Sequence, residues 1–407
     1  MLCGVLNAAA SSTQARGVFS APCAAGVDVD KNIDDERAVR NDMETVRNGK
    51  RAAVRPTQYR LLPPPAVSYR PQMEQAGGGD RAKFIELNVK SLVNSPQSTG
   101  MKFWSINPYV GCELGCTYCY AHYAHRYVVE RAQDTGQVSR EKLTRFFEPN
   151  SEPAFAQHIF VKQRSAVLQA LERDLVRIHK RSSHDNPATV AIGTATDPYQ
   201  PAERVFGITR AILERLVTTE RLELGITTKS PLICRDIDVL LELGRKHKVT
   251  VYISLICKTT RLIRCFEQHS PSPQARFRAL SRLRDAGITA GINAAPVLPG
   301  ITDSVFEIEA LMAAAKEAGA SFVHPSVLRV YPSIRDEFLP VIEQYFPNLV
   351  PRYRAAYERC RSAPSNYLEA IERRFKRLAL KHGINSADPF KREKRRQVEP
   401  EMQLSLL

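Results

Sequence analysis

The stretch "LELGITTKSPLICRDIDVLLELGRKHKVTVYISLI", residues 222–256, decides the fold. Its ends, "LELGITTKS" and "VTVYISLI", are short apolar runs that read as strands. Between them, "DIDVLLELGRKH" has helical spacing. A strand–helix–strand unit of this kind makes a parallel strand pair with a crossover helix.

The same rhythm extends in both directions. Upstream, "KFWSIN" reads as a strand, and "SAVLQALERDLVRIHK" as a helix aligning Val167, Leu168, Leu171, Leu175 and Ile178. "ATVAIGTATD" (188–197) is the next strand, and "AERVFGITRAILERLV" reads as one helix aligning Val205, Ile208, Ile212 and Leu216. Downstream, "PSPQARFRALSRLRDAG" is a helix with Pro near its start and Gly at its end. A strand "ITAGINAAPVLPG", a helix "DSVFEIEALMAAAKEAGA" and a strand "SFVHPSVLRV" follow. The expectation is an α/β fold, a partial (β/α) barrel of about six parallel strands, with its chemistry at the C-terminal strand ends. The barrel is expected over 81–330, a basic helical extension over 331–390 and a basic tail over 391–407. Residues 1–80, with "LLPPP" and a Gly77–Gly79 hinge, show no periodicity and read as a disordered extension.

Composition bounds the function. The chain has 407 residues, 43% of them hydrophobic, enough for a sizeable core. No apolar run approaches the roughly 20 residues needed to span a bilayer, so no membrane partner is expected. Nine unevenly spaced cysteines do not suit a secreted disulfide scaffold; they suit a reducing cytoplasm, where clustered thiols mean a metal or redox site. The first 26 residues hold one Arg and no acid, a faint likeness to a targeting peptide without its charged start. Net charge is +15. Residues 348–381 hold nine basic and three acidic residues, a surplus of a sign that attracts phosphate backbones.

The chemistry concentrates in "NPYVGCELGCTYCYAHY", residues 107–123. Cys112, Cys116 and Cys119 follow C-x3-C-x2-C spacing. Three thiolates can hold three irons of a [4Fe–4S] cube and leave the fourth open to a small ligand. Zinc completed by His122 or His125 is a second reading. An electron-transfer ferredoxin would want a fourth nearby cysteine, and none lies between Cys119 and Cys234.

The loop "CELGCTYCY" resembles the cluster motif of the radical S-adenosylmethionine (SAM) superfamily, and in detail its spore photoproduct lyase-like, DNA-repair-photolyase branch. The similarity runs from about residue 102 to 345. It includes "IGTATDPYQPAE", "ITTKSPLICRDIDVL", "EQHSPSPQARFRAL" and "GINAAPVLPGITD". The resemblance implies that Cys112, Cys116 and Cys119 hold a [4Fe–4S] cluster whose open iron binds SAM. It implies reductive cleavage to methionine and a 5′-deoxyadenosyl radical that takes hydrogen from a substrate. A flavodoxin- or ferredoxin-type reductant is the implied partner, with DNA or RNA as a further one. The chain is expected to be a monomer or weak dimer.

The resemblance also implies residue roles. Tyr118 would sit beside the SAM adenine and Tyr120 towards the reacting centre. Lys229 would pair with the SAM carboxylate, and Ser254 would contact SAM. Thr194, Thr196 and Asp197 lie where the amino group or ribose would be reached, while Glu203 suits the first turn of the next helix. One departure stands out: the lyase's hydrogen-returning cysteine falls at Thr194, and residues 188–200 hold no cysteine. Cys234, Cys257 and Cys265 are the remaining candidates, with Cys257 nearest a strand end. Two alternatives to a nucleic-acid-directed radical enzyme stay open: a radical SAM enzyme acting on a protein or small molecule, and a non-catalytic zinc-binding nucleic-acid module.

Overall fold

The computed structural model describes residues 83–122, 124, 155–183, 185–358 and 360–389. The expectations for 1–80, His125 and 391–407 fall outside these residues. The main sheet comprises β2 (Val93–Asn94), β3 (Trp104–Ile106), β6 (Ala188–Ile192), β7 (Leu222–Thr228), β8 (Lys248–Ser254), β9 (Ala290–Val297) and β10 (Val323–Val327). Its order is β10-β9-β8-β7-β6-β3-β2. From β3 to β10 every neighbouring pair is parallel, and β2 alone runs antiparallel, on the β3 edge. Six parallel strands joined through helices form the expected partial barrel.

The helices follow the apolar spacing. They are α1 (Arg164–His179), α2 (Ile208–Leu216), α3 (Ile237–Gly244), α4 (Thr260–Phe266), α5 (Pro273–Asp285) and α6 (Val305–Glu317). Ser272 caps α5 by accepting from Ala275 N (3.3 Å), Pro273 opens its first turn, and Gly287 at φ 85° follows its end.

The structure departs from the sequence reading in two places. "AERVFGITRAILERLV" is not one helix. Gly207, at φ 59°, closes a single turn, Glu203–Phe206, and α2 starts afresh. Val205 is therefore off the α2 face and 73% exposed, whereas Ile208, Ile212 and Leu216 are buried as expected. The second departure is a small sheet that periodicity did not reveal. It pairs β1 (Lys83–Leu87) parallel to β5 (His158–Lys162), and β4 (Tyr109–Val110) antiparallel to β5. A two-residue strand whose partner lies some fifty positions away has no local signature.

This small sheet redirects the chain. After β3 ends at Ile106, the chain crosses to β4 and then turns at Gly111 (φ 89°) into the cysteine loop. The buried Lys162 of β5 holds the crossing by donating to Asn107 O (2.5 Å).

Beyond β10 come α7 (Pro332–Tyr345), α8 (Val350–Tyr357) and α9 (Ser365–Lys381). Their apolar faces share the barrel's core. Phe266 stacks on Phe338 (5.9 Å) and Phe346 (5.8 Å), and Tyr353 and Phe375 are buried with them. Each such aromatic contributes about 1.5–3 kcal/mol through burial, so packing crosses the expected 330/331 boundary without a gap.

Candidate active site

Segments from three parts of the chain hold the cysteine loop. Cys112 N donates to Phe155 O (3.0 Å), Cys119 N to Cys116 O (3.0 Å) and Thr117 N to Phe266 O (2.9 Å). Cys116 and Glu267 face one another as an isolated antiparallel bridge. Gly115, at φ 57°, passes His269 so closely that a Cβ would lie 3.1 Å from its ring. The rim segment after β6 supplies the third support. Gly111 O accepts from Thr196 Oγ1 (2.6 Å) and Gln200 Nε2 (3.3 Å), and Glu113 N donates to Gln200 Oε1 (2.9 Å). Gln200 is fully buried, and nothing in its sequence surroundings marked it as a loop anchor.

The three thiols are unbridged. Cys112 and Cys116 are buried and Cys119 is half-buried. Burial, followed by nearby negative groups that include the other loop thiols, raises Cys112 well above its usual value and Cys119 to about 12. Burial is also the main reason that Cys116 is raised. A cationic metal core bound there would favour the thiolate form of all three. Among the described residues no group of three or more His, Cys, Asp or Glu side chains is disposed to hold one metal ion. A [4Fe–4S] cube distributes its thiolates over separate irons. An all-sulfur donor set on one loop, beside a lysine, fits that cube.

The lysine is Lys229, which follows β7, with Nζ 5.7 Å from the centre of the Tyr118 ring. Burial acts to lower its pKa, but the negative charge of Cys116 and Glu267 outweighs it, and the net shift is upward. Asp197 positions Lys229 by accepting from its backbone N (2.7 Å) and from Thr228 Oγ1 (2.6 Å). Gly193 permits this close meeting of strand ends: at φ 87°, a Cβ there would lie 2.6 Å from Thr227 O.

The remaining candidates lie at the same ends of the parallel strands. Thr194 is tied to Asn107 (3.1 Å), and its carbonyl accepts from the Tyr120 hydroxyl. Tyr120 is 37% exposed and faces Tyr331 at 6.2 Å, over which Arg361 lies at 5.4 Å. Tyr118 is buried, and its hydroxyl donates to Glu267. Ser254 ends β8, and its carbonyl accepts from Arg276 Nη1 (2.9 Å). Cys257, just past β8, is buried with its thiol on Thr259 O (3.6 Å). Cys234 and Cys265 are also buried, bonded to the carbonyls of Ala279 and Arg261. His122 stacks on Phe155 (4.5 Å) and pairs through Nδ1 with Glu337 (3.0 Å). Glu203 is fully buried and belongs to a separate ion-pair network. The sequence reading missed Asn107, Gln200, Glu267 and Arg276. The last two lie in "EQHSPSPQARFRAL", a quoted segment without an assigned role.

Of the nine basic residues in 348–381, at least five have partners within the chain. Arg354 pairs with Glu343, Arg373 with Glu369 and Lys381 with Glu309, while Arg374 donates to Asp303 O and Arg361 covers Tyr331. Among the described residues no helix is long and apolar enough to cross a membrane.

The family model of the radical SAM superfamily matches residues 106–313. The uncharacterized protein Rv2578c of Mycobacterium tuberculosis is 32% identical over 307 residues, 75% of this chain and 82% of that protein. The uncharacterized protein MJ0683 of Methanocaldococcus jannaschii is 25% identical over 55% of this chain and 71% of its own. A mutant of spore photoproduct lyase shares the fold, with a TM-score of 0.51 at 14% identity, over 74% of this chain and 79% of the lyase. The cysteine loop at the strand ends, the matched span and the similarity over three quarters of the chain lead to one conclusion: the chain belongs to the radical SAM superfamily.

Proposed function

We propose that Cys112, Cys116 and Cys119 hold a [4Fe–4S] cluster and that the strand ends around them bind SAM. The observation that carries this reading is the set of three unbridged thiols on one loop beside Lys229. When bound, the cluster and SAM supply reductive splitting of the sulfonium and a 5′-deoxyadenosyl radical that takes hydrogen from the substrate. The chain's residues bind, aim and enclose. Lys229 offers its ammonium to the SAM carboxylate, and Asp197 fixes the backbone from which it projects. Tyr118 borders the adenine. Thr194, Thr196 and Ser254 line the remaining strand ends, with Thr196 also fixing the cysteine loop through Gly111. Tyr120 faces the reacting centre. Cys257 is the thiol proposed to return hydrogen, since the resemblance puts Thr194 at the lyase cysteine's position and an O–H bond is too strong to substitute.

For the substrate we favour a nucleic acid, supported by the row formed by Tyr120, Tyr331 and Arg361 at the mouth of the site. Planar bases stack on such rows at about 1–3 kcal/mol each. The internal pairing of the C-terminal basic residues favours a second reading, a protein or small-molecule substrate. The reaction needs a flavodoxin- or ferredoxin-type reductant, and a reducing cytoplasm suits the free thiols.

Reductive incubation with SAM under nitrogen tests the reaction class. Formation of 5′-deoxyadenosine is expected; its absence from protein carrying about four irons would overturn the proposal. Oligonucleotide binding that does not weaken with salt would remove the phosphate-contact argument.

A further inference from the structure

Glu267 and Arg276 are both 0% exposed, a charged pair enclosed beneath the cysteine loop. Desolvating two charges costs several kcal/mol per ion, and apolar side chains of similar volume often serve a fold as well or better. The pair's contacts indicate what it does besides holding the fold. Arg276 spends its donors on Glu267, Ser254 O (2.9 Å) and Pro271 O (3.0 Å). Glu267 accepts from Arg276 through one oxygen and from the Tyr118 hydroxyl through the other, while its backbone bridges Cys116. Lys229 lies over the other end of this group, at the Tyr118 ring. One chain of contacts thus runs from the end of β8, through Arg276, Glu267 and Tyr118, to Lys229 at the end of β7.

We propose that Glu267 and Arg276 are positioning residues: they aim Tyr118 and Lys229 at SAM and set the charge felt by the cluster. This inference rests on the function proposed above. Removing the buried carboxylate makes an added electron easier to accept, and removing the guanidinium makes it harder, since net charge near a cluster tunes its potential.

The test uses reconstituted full-length protein with iron content, Tm, SAM affinity and cluster midpoint potential as readouts. Glu267→Leu/Arg276→Met replaces the pair by apolar side chains. Near-normal iron and a cooperative melting transition are expected, with SAM bound at least tenfold more weakly. Unchanged SAM affinity and potential in that variant would overturn the proposal and leave the pair a structural one. Should the double variant fail to fold, Arg276→Lys keeps the charge but loses the fork, and severalfold weaker SAM binding is expected; wild-type affinity would again refute positioning. Separately, Glu267→Gln is expected to raise the midpoint potential and Arg276→Gln to lower it; shifts of the same sign would sink the electrostatic part. A wild-type protein that takes up iron but never binds SAM would refute the functional reading instead, and the opposed potential shifts would then decide the role of the pair.

Discussion

Two buried acid–arginine networks lie behind the rim, and they work differently. In the first, Glu203 accepts from Tyr109 Oη (2.5 Å), Thr209 N (2.8 Å), Arg210 N (3.2 Å) and Arg235 Nη2 (2.8 Å). Asp236, also fully buried, takes Arg210 and Arg235 in turn. Thr209 N and Arg210 N are the donors that a helix start leaves unsatisfied, so Glu203 stabilises the break at Gly207. In the second network, Glu267 reaches a tyrosine of the cysteine loop, and its arginine reaches a strand end. The first network replaces missing helical hydrogen bonds; the second ties side chains of the site together. A buried charge pair therefore does not declare its role by burial. The role is read from what its remaining donors and acceptors touch.

Variants can break this contrast, starting with the largest effect. Cys116→Ala is expected to lose essentially all cluster iron, measured after anaerobic reconstitution; full iron content would remove Cys116 from the ligand set. Glu203→Leu is expected to lower stability by about 3–5 kcal/mol in denaturant unfolding, because buried arginine and backbone donors lose their acceptor. A change below 1 kcal/mol would erase the distinction between the networks.

Lys162 adds a pH test. Burial lowers its pKa to about 8, against 10.5 for an ordinary lysine. The unfolded chain then binds the proton more tightly, so folding pays for this burial below pH 8, and the penalty is relieved as pH rises from 8 to 10.5. Lys162→Met should remove that upward slope, worth about 3 kcal/mol across the window. An identical pH profile for wild type and variant would disprove it. Lys229→Ala is expected to weaken SAM binding about tenfold, or about 1.4 kcal/mol, while sparing the iron; unchanged affinity would take Lys229 out of the site. Val205→Asp should change stability by less than about 0.5 kcal/mol, since the side chain is 73% exposed. A larger loss would restore the single continuous helix.

Local order alone determined much of this protein. Apolar runs of strand length between amphipathic stretches set the parallel sheet, since both signals repeat within a few residues. Three cysteines within eight positions set the kind of site, because a loop that short keeps its thiols together in any fold. Tertiary structure decided what depends on distant partners. The strand β4 exists only because β5 supplies its hydrogen bonds, and Gly207 breaks the helix where Glu203 can satisfy the orphaned donors. Gln200 anchors the cysteine loop across 87 positions of sequence, and Glu267 meets Tyr118 across 149. Such contacts have no period and no local composition, so only the packed chain brings them into reach.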